Sequence, residues 1–360
     1  MKAGILGLLG SGRRTLFSLL THTVASGSGR EAQLGVLRIP DERLEELSRL
    51  HASRKTVPAT IQFVLLPGLV KGESEKLDLP ALRSVDVLVH VVRGFEEPSV
   101  AHPEGSVDPA RDIEMVELEL TLADLALVER RLERLRADAG KGKKVDGQEE
   151  AALERARESL AEGLPLRSML SSEDENRLRG YALLTVKPLL LGVNVGEDVI
   201  AQQDLPERLG LTKWATAPKV RLAFVSARIE AEIAELAPGD ARAFRENLGL
   251  ANDTIERIVS AAFELLAMIT FYTSAEQESR AWIIPRGTSA SVAAGGVHSD
   301  MERGFIRAEV LSWQELLECA QPGHPVSSAL AEARKRGVLR MEGKGYEVQD
   351  GDVVHILFNV

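Results

Sequence analysis

The sequence predicts a doubly wound α/β domain with an inserted helical hairpin, followed by a smaller α+β module. Two observations lead to this fold class. Short blocks of Val, Ile and Leu alternate with helical patterns in the first part of the chain, which is typical of βαβ units. Strands, turns and a short helix then alternate over about the last ninety residues, which is typical of a compact α+β unit.

Five apolar blocks are the candidate strands of the α/β domain. They read as nearly continuous Val/Ile/Leu runs, the pattern of strands that are buried on both faces of a parallel sheet. They lie at residues 3–8, 60–66, 85–92, 189–194 and 220–225. We therefore assign residues 1–111 and 166–270 to the doubly wound α/β domain.

Residues 112–165 have a different period. Apolar side chains recur every three or four residues, as expected for a helical seam, at Leu118, Leu122, Leu125, Val128, Leu132 and Leu135. The stretch 140–147 (GKGKKVDG) interrupts this pattern, and a second helix is predicted over residues 148–162. The pair predicts an antiparallel helical hairpin inserted into the α/β domain, with a packed helical subdomain as the alternative. The lysines of the turn (Lys141, Lys143 and Lys144) favour a solvated loop, with nucleic-acid contact as the alternative.

Residues 271–360 form the third predicted region. Strands are expected at residues 280–284, 305–311, 346–348 and 353–358, and a short helix at residues 289–295. Glycine and charged residues between these segments supply turn chemistry.

Composition restricts the classes of function and compartment. The net charge of −10 argues against broad binding to DNA or RNA, which relies on many cations facing phosphates. The longest apolar runs are about eight residues, whereas a membrane helix needs about twenty. A single cysteine, Cys319, excludes an intramolecular disulfide framework. With no signal-peptide pattern at the start, we expect a cytoplasmic protein with no membrane partner.

The sharpest motif is GLLGSGRRT at residues 7–15, between a predicted strand and a predicted helix. A working phosphate loop reads GxxxxGK[ST]: its backbone N–H groups hold phosphates, its lysine reaches the β- and γ-phosphates, and its hydroxyl binds Mg²⁺. The glycines are retained here, so a phosphate cradle is expected. Its residues are Gly7, Gly10, Ser11, Gly12, Arg13, Arg14 and Thr15. A glycine-rich turn that binds no ligand is the alternative.

The residues that hold Mg²⁺ in this class of site are replaced. Arg13 replaces the lysine that contacts the phosphates, and Arg14 replaces the hydroxyl residue that binds Mg²⁺. The expected DxxG motif after the next core strand reads Leu65-Leu66-Pro67-Gly68, so the carboxylate is missing as well. We therefore predict no metal site and no catalytic residue, because Mg²⁺ is the main stabiliser of charge in phosphoryl transfer.

Two later strand ends could contact a base. The strand at 189–194 runs into Asn194, Val195 and Glu197, and the strand at 220–225 into Ser226 and Ala227. Ligands of doubly wound sheets bind at such strand ends. A guanine reader has the form NKxD, so Val195 in place of lysine and Glu197 in place of aspartate weaken a preference for guanine.

These motifs, in this order, resemble the YchF family of Obg-like P-loop ATPases over nearly the whole chain. The C-terminal segments carry most of the similarity, at 298–310 (HSDMERGFIRAEV) and 348–353 (VQDGDV). The stretches 67–72 (PGLVKG) and 107–124 (VDPARDIEMVELELTLAD) add to it. The resemblance implies a site that prefers ATP over GTP, a helical arm, a C-terminal TGS-type β-grasp domain, and association with ribosomes or other translation components. It also implies that Asn194 and Glu197 read adenine, with Ser226 and Ala227 beside the base.

The chain departs from the family around the phosphates and the metal. Besides Arg13, Arg14 and Leu65, the first switch at residues 25–39 lacks the family's aromatic-Cys-Thr stretch. The second switch at residues 73–81 is shortened and lacks its GxGLG glycines.

Three hypotheses follow. The first is a nucleotide-binding scaffold with little or no hydrolysis. The second is a slow ATPase or GTPase whose metal is held by Glu73, Glu75 or Asp78. The third makes the C-terminal module the sole functional unit, which binds RNA, protein or a small ligand. Its basic residues would form a local patch, with scattered surface charge as the alternative: Arg280, Arg286, Arg303, Arg307, Arg334, Lys335 and Arg336.

Overall fold

The structure is a computed structural model that describes residues 1–25, 31–70, 72, 78–248, 253–320 and 326–359. The chain divides into two compact units. The first comprises Met1–Leu37 and Gln62–Leu265, and the second comprises Arg38–Ile61 and Leu266–Val360. Within the described ranges no helix is both long and apolar enough to cross a lipid bilayer.

Twelve strands and fifteen helices are described. The strands are β1 (Lys2–Leu6), β2 (Gln33–Arg38), β3 (Thr56–Val57), β4 (Thr60–Leu65), β5 (Val87–Gly94), β6 (Leu189–Val195), β7 (Val220–Val225), β8 (Met268–Ser274), β9 (Ser279–Pro285), β10 (Phe305–Ser312), β11 (Arg340–Glu342) and β12 (Asp352–Phe358). The helices are α1 (Arg13–Thr21), α2 (Glu42–Leu50), α3 (Leu79–Arg83), α4 (Pro109–Gly140), α5 (Gly147–Ala161), α6 (Ser172–Leu178), α7 (Leu205–Arg208), α8 (Thr212–Ala215), α9 (Ala227–Ile233), α10 (Pro238–Asn247), α11 (Thr254–Leu266), α12 (Ala290–Val297), α13 (Ser299–Arg303), α14 (Trp313–Cys319) and α15 (Val326–Arg336).

The first unit is built on a six-stranded sheet in the order β2-β4-β1-β5-β6-β7. Strand β1 pairs in parallel with β4 and β5, and β5, β6 and β7 continue in parallel. All seven residues of β6 and the first seven residues of β5 are buried, as expected for central strands covered on both faces. The predicted α/β fold is confirmed. Because the strands are parallel, the segments that follow β1, β5, β6 and β7 all leave the sheet at one edge.

Helices α4 and α5 form the hairpin, and both begin with an aspartate cap. Asp108 accepts a hydrogen bond from the Arg111 N–H, and Asp146 accepts one from the Gln148 N–H. The buried seam of the two helices includes Val128, Leu132, Leu135, Ala152, Leu153, Ala156 and Leu160.

The assignment of Leu118 and Leu122 to the buried seam was wrong. Their exposed fractions are 50% and 46%, and the buried residues of this part of α4 are instead Val116 and Leu120. The helix packs on the sheet here rather than on α5, so a different face is covered. In the turn of the hairpin, Lys143 forms an ion pair with Asp138, and Lys141 and Lys144 are exposed.

The second unit has a mixed sheet in the order β11-β10-β12-β8-β9-β3. Helices cover both of its faces. Residues of α12, including Ala290 and Ala294, pack against Phe271 and Val310 in one apolar cluster. Residues of α2, α14 and α15 form the other cluster, which includes Leu47, Leu316 and Ala333.

The second unit takes in more of the chain than the sequence suggests. It includes residues 38–61, which were predicted to belong to the α/β domain, and its C-terminal part begins at Leu266 rather than at residue 271. Strand β3 pairs with β9, and the Tyr272 hydroxyl lies 2.5 Å from the Asp41 carboxylate. These contacts join segments more than two hundred residues apart in sequence, so no local sequence pattern predicts them.

Two further details of the second unit differ from the expectations. Residues 346–348 do not form a strand: Glu347 makes only an isolated bridge with Ser289.

Five of the seven basic residues proposed as a patch are paired with carboxylates: Arg280 with Glu278, Arg303 with Asp300, Arg334 with Glu309, and Lys335 and Arg336 with Glu332. These five side chains therefore do not form a surface patch of unpaired positive charge.

Candidate nucleotide site

The glycine-rich loop lies between β1 and α1, at the edge of the sheet where the parallel strands end. Its shape depends on glycines at two positions. Gly12 has a φ of 91° directly before α1, and a Cβ there would lie 2.2 Å from the side-chain nitrogen of Asn194. At Gly7 a Cβ would lie 2.4 Å from the carbonyl oxygen of Val91. Neither position accommodates a side chain, so both glycines are needed for this loop to lie on the sheet.

Asn194 ties two parts of the site together. Its side chain is buried at the end of β6. Nδ2 donates to the Ser11 carbonyl at 3.1 Å, and Oδ1 accepts from the Ala227 N–H at 3.0 Å. Asn194 therefore fixes the glycine-rich loop relative to the turn between β7 and α9. Asn194 was predicted to read a base. Its two hydrogen bonds show that it also positions the glycine-rich loop.

A cleft of about 280 Å³ opens where β5, β6 and β7 end. Its lining includes Phe95, Glu96 and Glu97 after β5, Val195, Glu197 and Asp198 at and after β6, and Ser226 and Arg228 after β7. The predicted residues Asn194, Val195, Glu197 and Ser226 thus meet at one cleft, whereas Ala227 contributes its N–H to Asn194 instead.

Carboxylates dominate the polar groups of this cleft. Two hydrogen bonds from Ser99 lower the pKa of Glu97, so this side chain is ionised at neutral pH. Arg228 approaches Glu97 to 3.7 Å, but its side chain is 80% exposed. The cleft can therefore accept hydrogen bonds from N–H groups of a ligand.

Arg13 does not extend along the glycine-rich loop. Its side chain is buried, and Nη1 donates to the carbonyl oxygen of Leu66, 2.5 Å away, just after β4. A Cβ at Gly68 would lie 2.5 Å from Nη2, so the guanidinium occupies space that this glycine leaves free. Burial and the charge of Arg14 lower the pKa of Arg13 to about 10, and it remains protonated at neutral pH.

Arg14 turns away from the loop in another direction. Its Nη2 donates to the carbonyl oxygen of Ala25 at 2.5 Å. Thr15, the next residue, is exposed on α1. The Ser11 hydroxyl is buried and has no hydrogen-bond partner within the part of the chain that the structure describes.

The positions where this class of site holds Mg²⁺ offer no oxygen from their side chains. Leu65 is 3% exposed in β4, and Arg14 carries a guanidinium. Asp78, one of the proposed substitutes, caps α3 by accepting from the Ala81 N–H at 3.0 Å. Glu73 and Glu75 lie outside the described residues, as do residues 26–30 of the first switch. Across the described ranges no group of three or more His, Cys, Asp or Glu side chains could hold a metal ion.

The segment after β5 was not among the predicted site residues. Phe95, Glu96 and Glu97 line the cleft, and Arg93 holds the backbone of the same segment. One signal was available: the buried run at 85–92 ends directly before them, and ligands bind at such strand ends.

Comparison with known proteins places these features in a family. Residues 268–359 match the family model YchF-GTPase_C, described as a protein of unknown function (DUF933). The chain is 37% identical to the "Ribosome-binding ATPase YchF" of Bacillus subtilis, over the full length of both proteins. It is 36% identical to the protein of the same name from Escherichia coli O157:H7, covering all of this chain and 99% of that one.

Two solved structures have similar folds. The YchF GTPase of Schizosaccharomyces pombe matches 99% of this chain and 97% of its own, with a TM-score of 0.80 and 26% identity. A GTP-binding protein from Pyrococcus horikoshii OT3 matches over both full chains, with a TM-score of 0.63 and 18% identity, which shows a similar fold.

Proposed function

The chain belongs to the YchF family, and we propose that it binds an adenine nucleotide without magnesium and acts as a ribosome-associated scaffold with little or no hydrolysis. The observation that carries this proposal is the direction of the Arg13 side chain. Its guanidinium lies between the glycine-rich loop and the end of β4, bonded to the Leu66 carbonyl. In a working site of this class, Mg²⁺ is held between the same two segments.

The residues at this place do not fit a magnesium ion. Mg²⁺ requires oxygen ligands in near-octahedral geometry, and proteins usually supply one or two carboxylates in addition to the phosphates. Leu65 and Arg14 supply none, and the Arg13 guanidinium between the two segments opposes a further cation. Phosphoryl transfer without Mg²⁺ lacks its main source of charge stabilisation, so efficient hydrolysis is not expected.

The remainder of the site fits a nucleotide. Glycines keep the loop open against the sheet, and Asn194 fixes it to the turn after β7. The cleft of about 280 Å³ is slightly smaller than the usual range for small-molecule sites, about 300–1,000 Å³. Its carboxylates, including Glu197, can accept from the exocyclic amine of adenine. Guanine also carries an exocyclic amine, so the proposed preference for ATP over GTP rests on the "ATPase" in the names of the bacterial relatives.

Association with the ribosome follows from the names of those relatives, which describe them as ribosome-binding. Their similarity extends over the whole chain, including the hairpin and the C-terminal unit. We propose that the hairpin and a TGS-like C-terminal unit make these contacts in the cytoplasm, with neither DNA nor a membrane as a partner.

The proposed function has a direct test. The purified chain is expected to co-sediment with bacterial ribosomes and to release no phosphate from ATP above the level of a double variant, Arg13→Ala with Arg14→Ala. Magnesium-dependent turnover that this double variant abolishes would instead establish a slow ATPase with rearranged ligands. If the chain stays in the supernatant with and without ATP, the ribosomal part of the proposal is wrong.

A further inference from the structure

The side chain of Arg93 organises one wall of the cleft. Arg93 lies near the end of β5 and is 3% exposed. All three of its side-chain nitrogens donate to backbone carbonyls of the segment that follows: Nε to Phe95 at 3.1 Å, Nη1 to Val100 at 2.9 Å, and Nη2 to Glu97 at 3.3 Å. One guanidinium therefore determines the path of residues 95–100, which we call the 95–100 loop.

The chemistry of this arrangement requires arginine. Three carbonyls that point at one centre need a planar group with donors on several sides, which guanidinium provides and ammonium does not. The Arg93 guanidinium carbon also lies 4.8 Å from the centre of the Phe95 ring, which adds a cation–π contact. The hydrogen-bond partners of its guanidinium are these three backbone carbonyls, and its charge also helps to lower the pKa of the Glu97 carboxylate.

The 95–100 loop contacts both halves of the site. At one end, Phe95 and Glu97 line the cleft. At the other end the loop packs on the glycine-rich loop: a Cβ at Gly10 would lie 3.1 Å from Val100 and 3.4 Å from Nη1 of Arg93. A shift of this loop would therefore move the wall that faces a bound base.

We propose that Arg93 is a positioning residue that sets the affinity of the cleft for the base and sugar of its ligand by holding the 95–100 loop in place. This rests on the proposed nucleotide-binding function and names a residue that controls it. Arg93 acts through the loop and does not contact the ligand. Its loss is therefore expected to weaken binding of a nucleoside, whereas binding of a phosphate chain at the glycine-rich loop depends on other groups.

The test compares Arg93→Lys with the unaltered chain, using adenosine and inorganic pyrophosphate as separate probes in calorimetric titrations. Lysine keeps the positive charge but lacks the planar guanidinium group with its several N–H donors. Loss of one or two net hydrogen bonds is expected to weaken adenosine binding about tenfold, with pyrophosphate binding changed by less than about threefold. Hydrogen exchange of the backbone amides in the 95–100 loop is expected to accelerate in the same variant, while α4 and α5 stay protected.

Arg83→Lys is the matched control, because Arg83 is another poorly exposed arginine of the same unit, whose Nη1 donates to the Tyr181 carbonyl and whose Nη2 lies 3.7 Å from the Asp124 carboxylate. It is expected to lower the melting temperature without changing the ratio of the two affinities. If Arg93→Lys weakens both probes equally, or neither, Arg93 has no positioning role, and the proposed function stands as long as the unaltered chain binds ATP. If the unaltered chain binds neither ATP nor adenosine, both proposals are wrong.

Discussion

Replacing Arg13 by Lys, Arg14 by Ser and Leu65 by Asp is expected to make nucleotide binding depend on magnesium. The three changes restore the lysine, the hydroxyl and the carboxylate of a working phosphate loop. They also remove the guanidinium that bonds to the Leu66 carbonyl between the two segments. ATP is then expected to bind at least about tenfold more tightly in magnesium than in EDTA, because Mg²⁺ can bridge the phosphates and the protein.

Leu65 is buried in β4, so the aspartate introduces a cost in stability that needs a control. The double variant Arg13→Lys with Arg14→Ser leaves β4 unaltered and is expected to show a smaller magnesium effect. Circular dichroism and melting temperatures establish that both variants are folded. A folded triple variant that binds ATP equally in magnesium and EDTA would show that the metal position is lost for reasons beyond these three side chains.

Acidification is expected to destabilise both units separately, through one buried histidine in each. His90 in β5 and His51 at the end of α2 are 1% and 4% exposed. Within the described part of the chain, no group hydrogen-bonds to either ring. Burial lowers the pKa of His90 to about 3 and that of His51 to about 4. Both rings are therefore neutral in the folded protein at neutral pH.

The sign follows from proton binding. An unfolded histidine has a pKa of about 6.5, so between that pH and the folded value the unfolded chain binds more protons than the folded one. The stability contribution is complete above the unfolded pKa and falls as the pH decreases. From about pH 7.5 to about pH 5, each histidine should lower the free energy of unfolding of its unit by about 2 kcal/mol.

Urea unfolding followed by tryptophan fluorescence can separate the two units. Trp214 reports on the first unit, and Trp282 and Trp313 report on the second. Changing His90 to Leu should remove the acid-induced loss of about 2 kcal/mol from the first unit only, and His51→Leu should do so for the second. If the variants are as acid-sensitive as the unaltered chain, other groups control the pH dependence.

Sequence patterns located the central sheet well, for a physical reason. Strands covered on both faces need nearly continuous apolar runs, and the central strands β5 and β6 have them. Edge strand β2 escaped notice because exposed Leu34 and Val36 alternate with buried Gly35 and Leu37. The membership of residues 38–61 in the second unit depends on pairing with β9 and contacts with Tyr272, which are distant in sequence.

For the site as well, features formed by contiguous residues were predictable, and contacts between distant residues were not. The glycine-rich loop was predictable because strand, glycines and helix are contiguous, and the ends of β6 and β7 follow from the geometry of parallel sheets. The direction of the Arg13 side chain was not predictable, because its acceptor is a backbone carbonyl more than fifty residues away. The same holds for the amide of Asn194, which bonds to backbone groups of two distant loops.

Calorimetric titration of the purified, nucleotide-free chain with ATP, in magnesium and again in EDTA, tests the central claim most directly. We expect binding in both buffers with dissociation constants within about threefold of each other, because the Arg13 guanidinium lies between the two segments that would hold the metal. Binding that requires magnesium would contradict this account, since it would show that the chain holds the metal after all.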